Sequence, residues 1–287
     1  MREFQLEELA TYGHCPMKWR YRYEYNLPYI EADSQEAYFF SVRKALARYT
    51  NAYIGKSSKY VAHVTQNTFR QLLSRFEFRG VFDFAESARL FQEGWLAVIA
   101  FDRQVMQSQD FRPAPITDAP AHCYFEDAKI NGFMDIVLDP PRGYTNDSVA
   151  ICHITNEKSS LYSPRFMPVK YGWTVAVIRQ QMGPKTKIFH STFSPWSPKA
   201  ISLTKNVYSR TSFTGTVRGL IKGVESRAVW QMPHRDLCTK CCYNKICDPA
   251  HSRDLKPSEI KVLHERMEGW TSRRAASAER KPPSDPT

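Results

Sequence analysis

Four of the chain's seven cysteines lie within the ten-residue stretch CTKCCYNKIC. Cys238, Cys241 and Cys247 are spaced as C-x2-C-x5-C, and Cys242 adds a thiol next to the second of them. Thiolates at such a spacing bind zinc or iron–sulfur clusters, and both kinds of centre take four protein ligands. Because the side chains of adjacent residues point apart, the stretch predicts three ligands and a spare thiol at Cys242.

The fourth ligand has to come from another part of the sequence. Cys123 and Cys152 lie in apolar, strand-like runs, which is typical of buried and unreactive cysteines. Pro16 is favoured at the first position of a helix, and it would place Cys15 at the N-cap, where a thiolate is electrostatically favoured. The candidates for the fourth ligand are Cys15, Cys123, Cys152, His234 and His251.

A second set of residues has the chemistry to act on phosphate esters. Asp135 lies between apolar residues in INGFMDIVL, three residues after Gly132, on a predicted strand. Carboxylates bind the hard cations Mg²⁺ and Mn²⁺, and a lysine can position the attacking water and the phosphate. In the next strand-like run, AICHITNEKSS, Asn156 and Lys158 stand two residues apart. Strand alternation places these two side chains on one face and Glu157 on the other.

Helices predominate in the N-terminal half of the chain. Apolar residues recur at steps of three and four in three segments, and each segment predicts an amphipathic helix whose apolar stripe packs in the core. The segments are QEAYFFSVRKALARYTNAY, VAHVTQNTFRQLLSRFEF and FDFAESARLFQEGWLAVIAF.

The pattern changes at DFRPAPITDAP, a proline-rich connector. Short strand-like runs follow, and the helical segment VKYGWTVAVIRQQMG, which ends at Gly183, separates them into two groups. Residues 121 to 205 therefore predict the order β-β-β-α-β-β, and helices are predicted on both sides, in the segments above and in SFTGTVRGLIKGVESRAVW and SEIKVLHERMEGW. The predicted strands are AHCYFED, KINGFMDIVLD, DSVAICHITN, KTKIFHSTF and KAISLTK.

These changes divide the chain into five segments. They are an N-terminal cluster-ligand helix (1–30), a helical region (31–115), an α/β core (116–230), the cysteine cluster (231–255), and a charged helix with a tail of disordered composition (256–287). No apolar run approaches the length of a membrane span, and the first ten residues lack the apolar region of a signal peptide. The sequence therefore predicts an intracellular protein with no part in the membrane.

Two motifs at opposite ends of the chain form a pattern that is more specific than either half. The first is Leu-x-x-Tyr-x-x-Cys-Pro, from Leu9 to Pro16, and an aromatic, basic run follows it. The second is C-x2-C-x-Tyr-x3-Cys, from Cys238 to Cys247 with Tyr243 inside it. Together they resemble the iron–sulfur nucleases of the RecB-type PD-(D/E)XK superfamily, in particular the AddB nuclease and the CRISPR-adaptation exonuclease families. The resemblance covers most of the chain apart from its tail.

The resemblance implies both a fold and a cofactor. The fold is α/β: a PD-(D/E)XK restriction-endonuclease-like core, in which helices flank a mixed sheet, with a helical N-terminal region and termini joined by the cluster. The cofactor is a structural [4Fe-4S] cluster held by Cys15, Cys238, Cys241 and Cys247. The alternative is a zinc site with four cysteines, or with three cysteines and a histidine.

The nuclease centre of that superfamily has an Asp after Gly-x-x, then (Asp/Glu)-x-Lys on the next strand. A His on an upstream helix and Gln-x3-Tyr on the following helix complete it. Arg43 stands in place of the His, Asn156 in place of the acidic ligand and Met167 in place of the Gln. An arginine cannot act as a neutral imidazole, and an asparagine offers an oxygen without negative charge, so the resemblance implies binding with impaired cleavage. The residues that match are Asp135, Lys158 and Tyr171.

The chain is basic and aromatic, with a net charge of +11 and 13% aromatic residues. Cations bind phosphates and rings stack on bases, so this composition is compatible with nucleic-acid binding. The clearest candidate surface is the run KWRYRYEY, whose alternative role is an amphipathic helix with its rings in the core. The predicted contacts to DNA are Lys18, Trp19, Arg20 and Arg22.

Three functions are compatible with these residues, and the first is favoured. It is a nuclease-derived, iron–sulfur-stabilised DNA-binding protein with an impaired phosphodiesterase site. The second is an active Mg²⁺- or Mn²⁺-dependent DNA exonuclease, in which Asp135 holds the metal with Asn156 or Glu157, and Lys158 assists the water. The third is a non-enzymatic component of a nucleic-acid-processing complex, with a protein or RNA as its partner.

Overall fold

The protein is a mixed α/β structure in which helices pack against two small sheets. This general class is the one that the sequence predicts. A computed structural model describes residues 1–28, 34–53, 58–78, 80–107, 112–113, 119–139, 148–154, 167–195, 204–205, 210–229, 238 and 241–279.

A strand and a broken helix form the N-terminus. Cys15 lies between the two halves of the helix in an extended conformation (φ −158°, ψ 109°), because Pro16 begins the second half. The predicted N-cap position of Cys15 is therefore confirmed. The elements are β1 (Arg2–Gln5), α1 (Leu6–His14) and α2 (Pro16–Trp19), and α2 continues as a π-helical turn over Arg20–Glu24.

Three long helices follow and confirm the three amphipathic segments predicted from periodicity. Their apolar stripes meet in one buried cluster that includes Val42, Phe69 and Val98. The third helix has the N-cap Asp83, whose carboxylate accepts a hydrogen bond from the backbone N–H of Glu86 at 2.8 Å. The helices are α3 (Ser34–Tyr53), α4 (Ser58–Phe78) and α5 (Phe84–Phe101), and a π-helical turn over Asp102–Gln107 follows α5.

The strands form two sheets. The remaining strands are β2 (Arg112–Pro113), β3 (Pro120–Phe125), β4 (Ala128–Phe133), β5 (Ile136–Asp139), β6 (Ser148–Ile154), β7 (Lys187–Phe193) and β8 (Thr204–Lys205). The three-stranded sheet has the order β1-β4-β3, and β1 runs parallel to β4. The five-stranded sheet has the order β2-β5-β6-β7-β8, in which only β6 and β7 are parallel to each other.

The predicted strand KINGFMDIVLD is divided between these two sheets. β4 ends at Phe133 in one sheet, and β5 begins at Ile136 in the other. The backbone N–H of Met134 donates to the carbonyl of Ala119 at 3.0 Å, and Asp135 lies at the crossing between the sheets. The two residues at the break, Met134 and Asp135, include neither Gly nor Pro, so the sequence has no turn signal there.

Helices cover both faces of the five-stranded sheet. Ala150, Cys152 and Ile154 of β6 belong to the buried cluster formed with α3, α4 and α5. Val149 and Ile151 belong to a second cluster with α1, α6 (Met167–Met182) and α7 (Arg210–Glu225). Every residue of β6 is buried, which is typical of a strand in the middle of a covered sheet.

The ends of the later helices differ in part from the predictions. Gly183 ends α6 with a positive φ of 108°, as predicted. α7 ends at Glu225, earlier than predicted, because Arg227 adopts a left-handed conformation with φ 50°. α8 (Pro257–Glu279) continues into the tail that its composition assigned to disorder, and residues 280–287 lie outside the described residues. Among the residues described, no helix is both long and apolar enough to cross a membrane.

Gly132 allows α6 to approach β4 closely. A Cβ atom at this position would lie 2.9 Å from Cζ2 of Trp173 and 3.2 Å from Cβ of Leu6. The indole N–H of Trp173 donates to the carbonyl of Ile130 at 3.1 Å, which fixes α6 on the sheet. The glycine of the Gly-x-x-Asp motif therefore has a packing role, and it keeps the start of α6 near Asp135.

Candidate functional site

Asp135 lies at the crossing between the sheets and is 3% exposed. Nδ1 of His153 lies 2.8 Å from its Oδ2, and the Lys170 ammonium forms an ion pair with the same oxygen. Nη2 of Arg43 lies 3.6 Å from Oδ1, which is ion-pair rather than hydrogen-bond range. The carboxylate is therefore an internal counter-ion and not a solvated charge.

Two histidines extend this cluster across neighbouring strands. Nε2 of His153 lies 3.0 Å from Nδ1 of His190, and the two rings are nearly parallel, at 13°. The centroid of the Tyr171 ring lies 4.2 Å from that of His153 and 4.9 Å from that of His190. All three side chains are buried. A hydrogen-bonded chain thus runs from Asp135 through His153 to His190.

The electrostatics of the cluster determine which nitrogen carries each proton. Burial alone raises the pKa of the Asp135 carboxyl, but the charge of Lys170 and the hydrogen bond from His153 outweigh it and lower the pKa. Burial lowers the pKa of His153. Burial, and the repulsion that a protonated His153 would exert, lower the pKa of His190 to about 3. Both histidines are therefore neutral at pH 7, and each donates a hydrogen bond from Nδ1. Nε2 of His190 is consequently the acceptor nitrogen of its ring.

Strand register explains why these side chains meet. Ile136 pairs with Cys152 in the antiparallel ladder of β5 and β6, so Asp135 comes opposite His153. In the parallel ladder, Ile151 pairs with His190, which places His190 on the same face of the sheet as His153. The remaining members of the cluster come from helices: Arg43 from α3, and Lys170 and Tyr171 from α6.

The structure brings together three of the residues that the sequence assigned to a nuclease-like centre, namely Arg43, Asp135 and Tyr171. Asn156 and Lys158 lie outside the described residues, so their roles stay predictions. Met167 is the first residue of α6.

The expected role of Arg43 needs a correction. The sequence predicts a guanidinium that faces a phosphate, whereas Arg43 is 7% exposed and pairs with Asp135. α3 packs on the five-stranded sheet beside the crossing point, so the guanidinium lies nearer to this carboxylate than to solvent. In this conformation Arg43 neutralises a protein charge.

Sequence analysis missed His153, Lys170 and His190. The two histidines interrupt apolar strand runs just as Asp135 does, and that is a detectable signal. The superfamily pattern instead assigned the site residues of this strand to Asn156 and Lys158. These positions come after His153, the residue that lies opposite Asp135. A lysine on an amphipathic helix usually reaches solvent, so nothing in the pattern indicated that Lys170 is buried.

The two cysteine motifs, from opposite ends of the sequence, lie close together in the structure. Cys15, Cys241 and Cys247 all pack against a buried cluster that contains Tyr21 and Tyr243. Consecutive turns shape the C-terminal motif, since the N–H of Cys241 bonds to the carbonyl of Cys238 at 3.1 Å and that of Cys247 to Tyr243 at 2.8 Å. Cys242, the predicted spare thiol, is itself buried in the cluster.

The thiols match a metal centre in their chemistry but not in their arrangement. Four cysteines are a donor set that suits zinc or a [4Fe-4S] cluster. In the part of the chain that the structure describes, however, no three His, Cys, Asp or Glu side chains are arranged to hold a metal ion. The position of the cysteines is compatible with a metal centre, but the geometry of their side chains does not by itself form one.

Three of the other candidates for a fourth ligand lie in the described residues, namely Cys123, Cys152 and His251. Cys123 and Cys152 are fully buried in β3 and β6, and burial raises the pKa of the Cys123 thiol to about 12. Nδ1 of His251 lies 2.7 Å from the hydroxyl of Tyr21. His234 lies outside the described residues.

Trp19 and Arg20, two of the predicted contacts to DNA, are buried in the structure described. Trp19 is 5% exposed, and its indole N–H donates to Glu8 at 3.1 Å. Arg20 is 2% exposed, because its guanidinium binds backbone carbonyls and carboxylates of the protein. Its acceptors are the carbonyls of Arg227, His251, Ser252 and Arg253 and the carboxylates of Glu24 and Asp254. Arg20 therefore joins the N-terminal helix to the segment that precedes α8.

The other two predicted contact residues are nearer to the surface. Lys18 is half-buried. The Arg22 guanidinium lies 3.1 Å from Glu7 and 5.2 Å from the centre of the Tyr23 ring, and its side chain is 23% exposed. Both retain access to solvent.

No protein-family model matches the chain, and no curated protein matches it significantly. Two solved structures are similar in chain path. The "Putative exonuclease" from Eubacterium rectale is 10% identical with a TM-score of 0.48, and the match covers 89% of this chain and 90% of that one. The protein SSO0001 is 14% identical with a TM-score of 0.38, and the match covers 87% of this chain and 86% of that one.

Proposed function

We propose that this is a nucleic-acid-binding protein of nuclease-like origin whose phosphodiesterase chemistry is impaired. The observation that carries the proposal is the state of Asp135, the acidic residue of the Gly-x-x-Asp motif. Lys170, His153 and Arg43 already surround its carboxylate. Metal-dependent phosphodiester cleavage needs carboxylate oxygens that are available to Mg²⁺ or Mn²⁺.

The position opposite Asp135 supports the same proposal. A second carboxylate there would strengthen cation binding, because affinity for hard cations rises with the number of charged oxygen ligands. His153 occupies this position and uses Nδ1 to donate to Asp135. Within the described residues, the cluster contains one carboxylate and two basic side chains that pair with it. Such a centre favours an anion over a second cation.

The charge of the whole chain supports a nucleic-acid partner. Lys and Arg number 40 against 29 Asp and Glu. An excess of this size attracts phosphate backbones through counterion release, independently of base sequence. Lys18 and Arg22 are the members of the predicted contact surface that keep access to solvent, so they remain candidates.

A combined binding and cleavage assay tests the proposal. Purified protein is incubated at low salt with labelled single-stranded DNA, double-stranded DNA and RNA, with Mg²⁺ or Mn²⁺, and both mobility shift and product length are recorded. We expect a shift with intact nucleic acid. Cleavage that disappears in Asp135→Asn would instead establish the metal-dependent exonuclease. Neither shift nor cleavage would favour a non-enzymatic component of a larger complex.

We further propose that Cys15, Cys238, Cys241 and Cys247 hold a [4Fe-4S] cluster, with zinc as the alternative metal. The support is the approach of the Cys15 region to the C-terminal motif around one buried cluster. Anaerobic purification followed by visible absorption and by iron, sulfide and zinc analysis tests this proposal. Cys15→Ser should lose the metal and the control Cys242→Ala should keep it. A metal-replete Cys15→Ser protein would exclude Cys15 as a ligand.

A further inference from the structure

We propose that the Lys170 ammonium takes, beside Asp135, the place that a divalent cation takes in a metal-dependent nuclease centre. The centre then keeps its charge balance and shape without Mg²⁺ or Mn²⁺. This inference rests on the nuclease-like origin proposed above, and it adds a specific mechanism for the change. One protein cation takes the place of the metal, and an imidazole on the neighbouring strand holds the same carboxylate.

Lys170 is placed as an internal cation should be. It is 1% exposed, and its ammonium forms an ion pair with Oδ2 of Asp135. A lysine is almost never fully buried unless it is paired, because removing its charge from water has a large free-energy cost. Its flexible stem lets an ammonium from α6 reach the carboxylate at the crossing between the sheets.

His153 holds the Asp135 carboxylate from the neighbouring strand. Nδ1 of His153 donates to Asp135 at 2.8 Å, and Nε2 lies 3.0 Å from Nδ1 of His190. Both ring nitrogens are therefore engaged with protein groups, and neither presents a lone pair to a metal ion between His153 and Asp135. The imidazole orients the carboxylate toward Lys170, so it acts as a positioning residue.

On the Arg43 side of Asp135, the described residues leave no room for a hydrated metal ion. The cavity on the Arg43 side is lined by Arg43, Ala47, Met134, Asp135, Ile136 and Ile154, and it is too narrow to admit a water molecule. Mg²⁺ usually keeps several of its water ligands in proteins, and Mn²⁺ also prefers a shell of oxygen ligands. An ammonium needs no such shell when it pairs directly with a carboxylate.

A metal-binding experiment on the full-length protein tests the inference. Protein treated with a chelator is titrated with Mn²⁺, and bound Mn²⁺ is followed by electron paramagnetic resonance together with the melting temperature. We expect that the wild type and Asp135→Asn bind the same amount of Mn²⁺. Mn²⁺ that the wild type binds, and that Asp135→Asn loses, would overturn the inference.

A double variant designed to bind Mn²⁺ tests the inference from the opposite direction. The double variant His153→Glu with Lys170→Gln restores a second carboxylate and removes the internal cation. We expect it to gain one Mn²⁺ per chain and a melting temperature that rises in millimolar Mn²⁺, while the exposed control Lys261→Gln gains neither. A folded double variant without new Mn²⁺ binding would contradict the inference. If it does not fold, the comparison of wild type with Asp135→Asn still decides.

Nucleic-acid binding separates this inference from the proposed function. Binding that is equal in chelator and in Mn²⁺ supports both. Absence of binding would sink the proposed function and leave the Mn²⁺ titration to decide the role of Lys170. Binding that requires Mn²⁺ and is lost in Asp135→Asn would overturn the role of Lys170 while the nucleic-acid function stands.

Discussion

Nε2 of His153 lies 3.0 Å from Nδ1 of His190, and Nδ1 of His153 donates to the Asp135 carboxylate at 2.8 Å. With both imidazoles neutral, Nε2 of His153 accepts the hydrogen bond that Nδ1 of His190 donates. Two buried neutral histidines make the stability of the fold sensitive to pH.

We predict that the free energy of unfolding falls as the pH drops below about 6.5. The pKa of His190 is lowered to about 3 and that of His153 is also lowered, so the unfolded chain takes up protons that the folded chain refuses. The loss should reach about 1.4 kcal/mol per pH unit for each histidine, with no change above the ordinary pKa. The Asp135 carboxyl, whose pKa is lowered, adds to the loss only below about pH 4.

Urea unfolding between about pH 7.5 and 4.5 measures this dependence. The variant His190→Phe removes one titrating group and should flatten the curve, whereas the exposed control His122→Gln should follow the wild type. Equal slopes for wild type and His190→Phe would show that the buried pair does not carry the effect.

Asp135 and Lys170 form an ion pair, but replacing Asp135 should cost more stability than replacing Lys170. Asp135→Asn leaves two buried cations without their carboxylate and should cost about 3–5 kcal/mol. Lys170→Met should cost less, because His153 and Arg43 still contact Asp135. The double variant should lose about 1–3 kcal/mol less stability than the sum of the two single-variant losses. Strictly additive losses would contradict a direct pair.

Arg20 should be a main determinant of how the two ends of the chain hold together. Arg20→Met removes a buried guanidinium that donates to several backbone carbonyls and to two carboxylates, so we expect a loss of about 3 kcal/mol or more. Hydrogen exchange should increase in residues 241–256 before it increases in the sheets. The matched control Arg22→Met breaks a partly exposed pair with Glu7 and should change stability by about 0.5 kcal/mol at most. Similar losses for both variants would refute the role assigned to Arg20.

Gly132→Ala tests why the motif has a glycine. The new Cβ would lie 2.9 Å from the rigid ring of Trp173, so we expect α6 to shift and stability to fall by about 1–3 kcal/mol. Gly219→Ala in α7 is the control, because a Cβ there meets nothing within 4 Å and should be neutral or stabilising. Thermal unfolding of both variants measures the difference. A neutral Gly132→Ala would mean that the glycine is required for another reason.

The sequence predicted the helices well because their apolar periodicity records which face is buried. It predicted the N-cap at Cys15 for an equally local reason, the proline that follows. It could not predict β1, a four-residue strand whose partner β4 lies more than a hundred residues away. Such pairing depends on the whole fold and leaves no local signal.

Residue pattern alone predicted the candidate site only where a polar residue interrupts an apolar run, and the family resemblance added Arg43 and Tyr171. Asp135 was found in this way, and His153 and His190 carried the same signal without a motif to draw attention to them. Lys170 and Arg43 look like ordinary solvated cations on helices, and only tertiary packing reveals that both contact one carboxylate. Arg20 and Trp19 were misassigned for the converse reason, since a basic aromatic run can be buried when the protein supplies the acceptors.

The most direct test of the account is diffraction from crystals soaked in Mn²⁺, with the anomalous signal of manganese used to locate bound ions. We predict no anomalous peak within coordination distance of the Asp135 carboxylate, which Lys170 and His153 should continue to contact. A manganese peak on Asp135, with Lys170 displaced, would contradict the account and establish a metal-dependent centre.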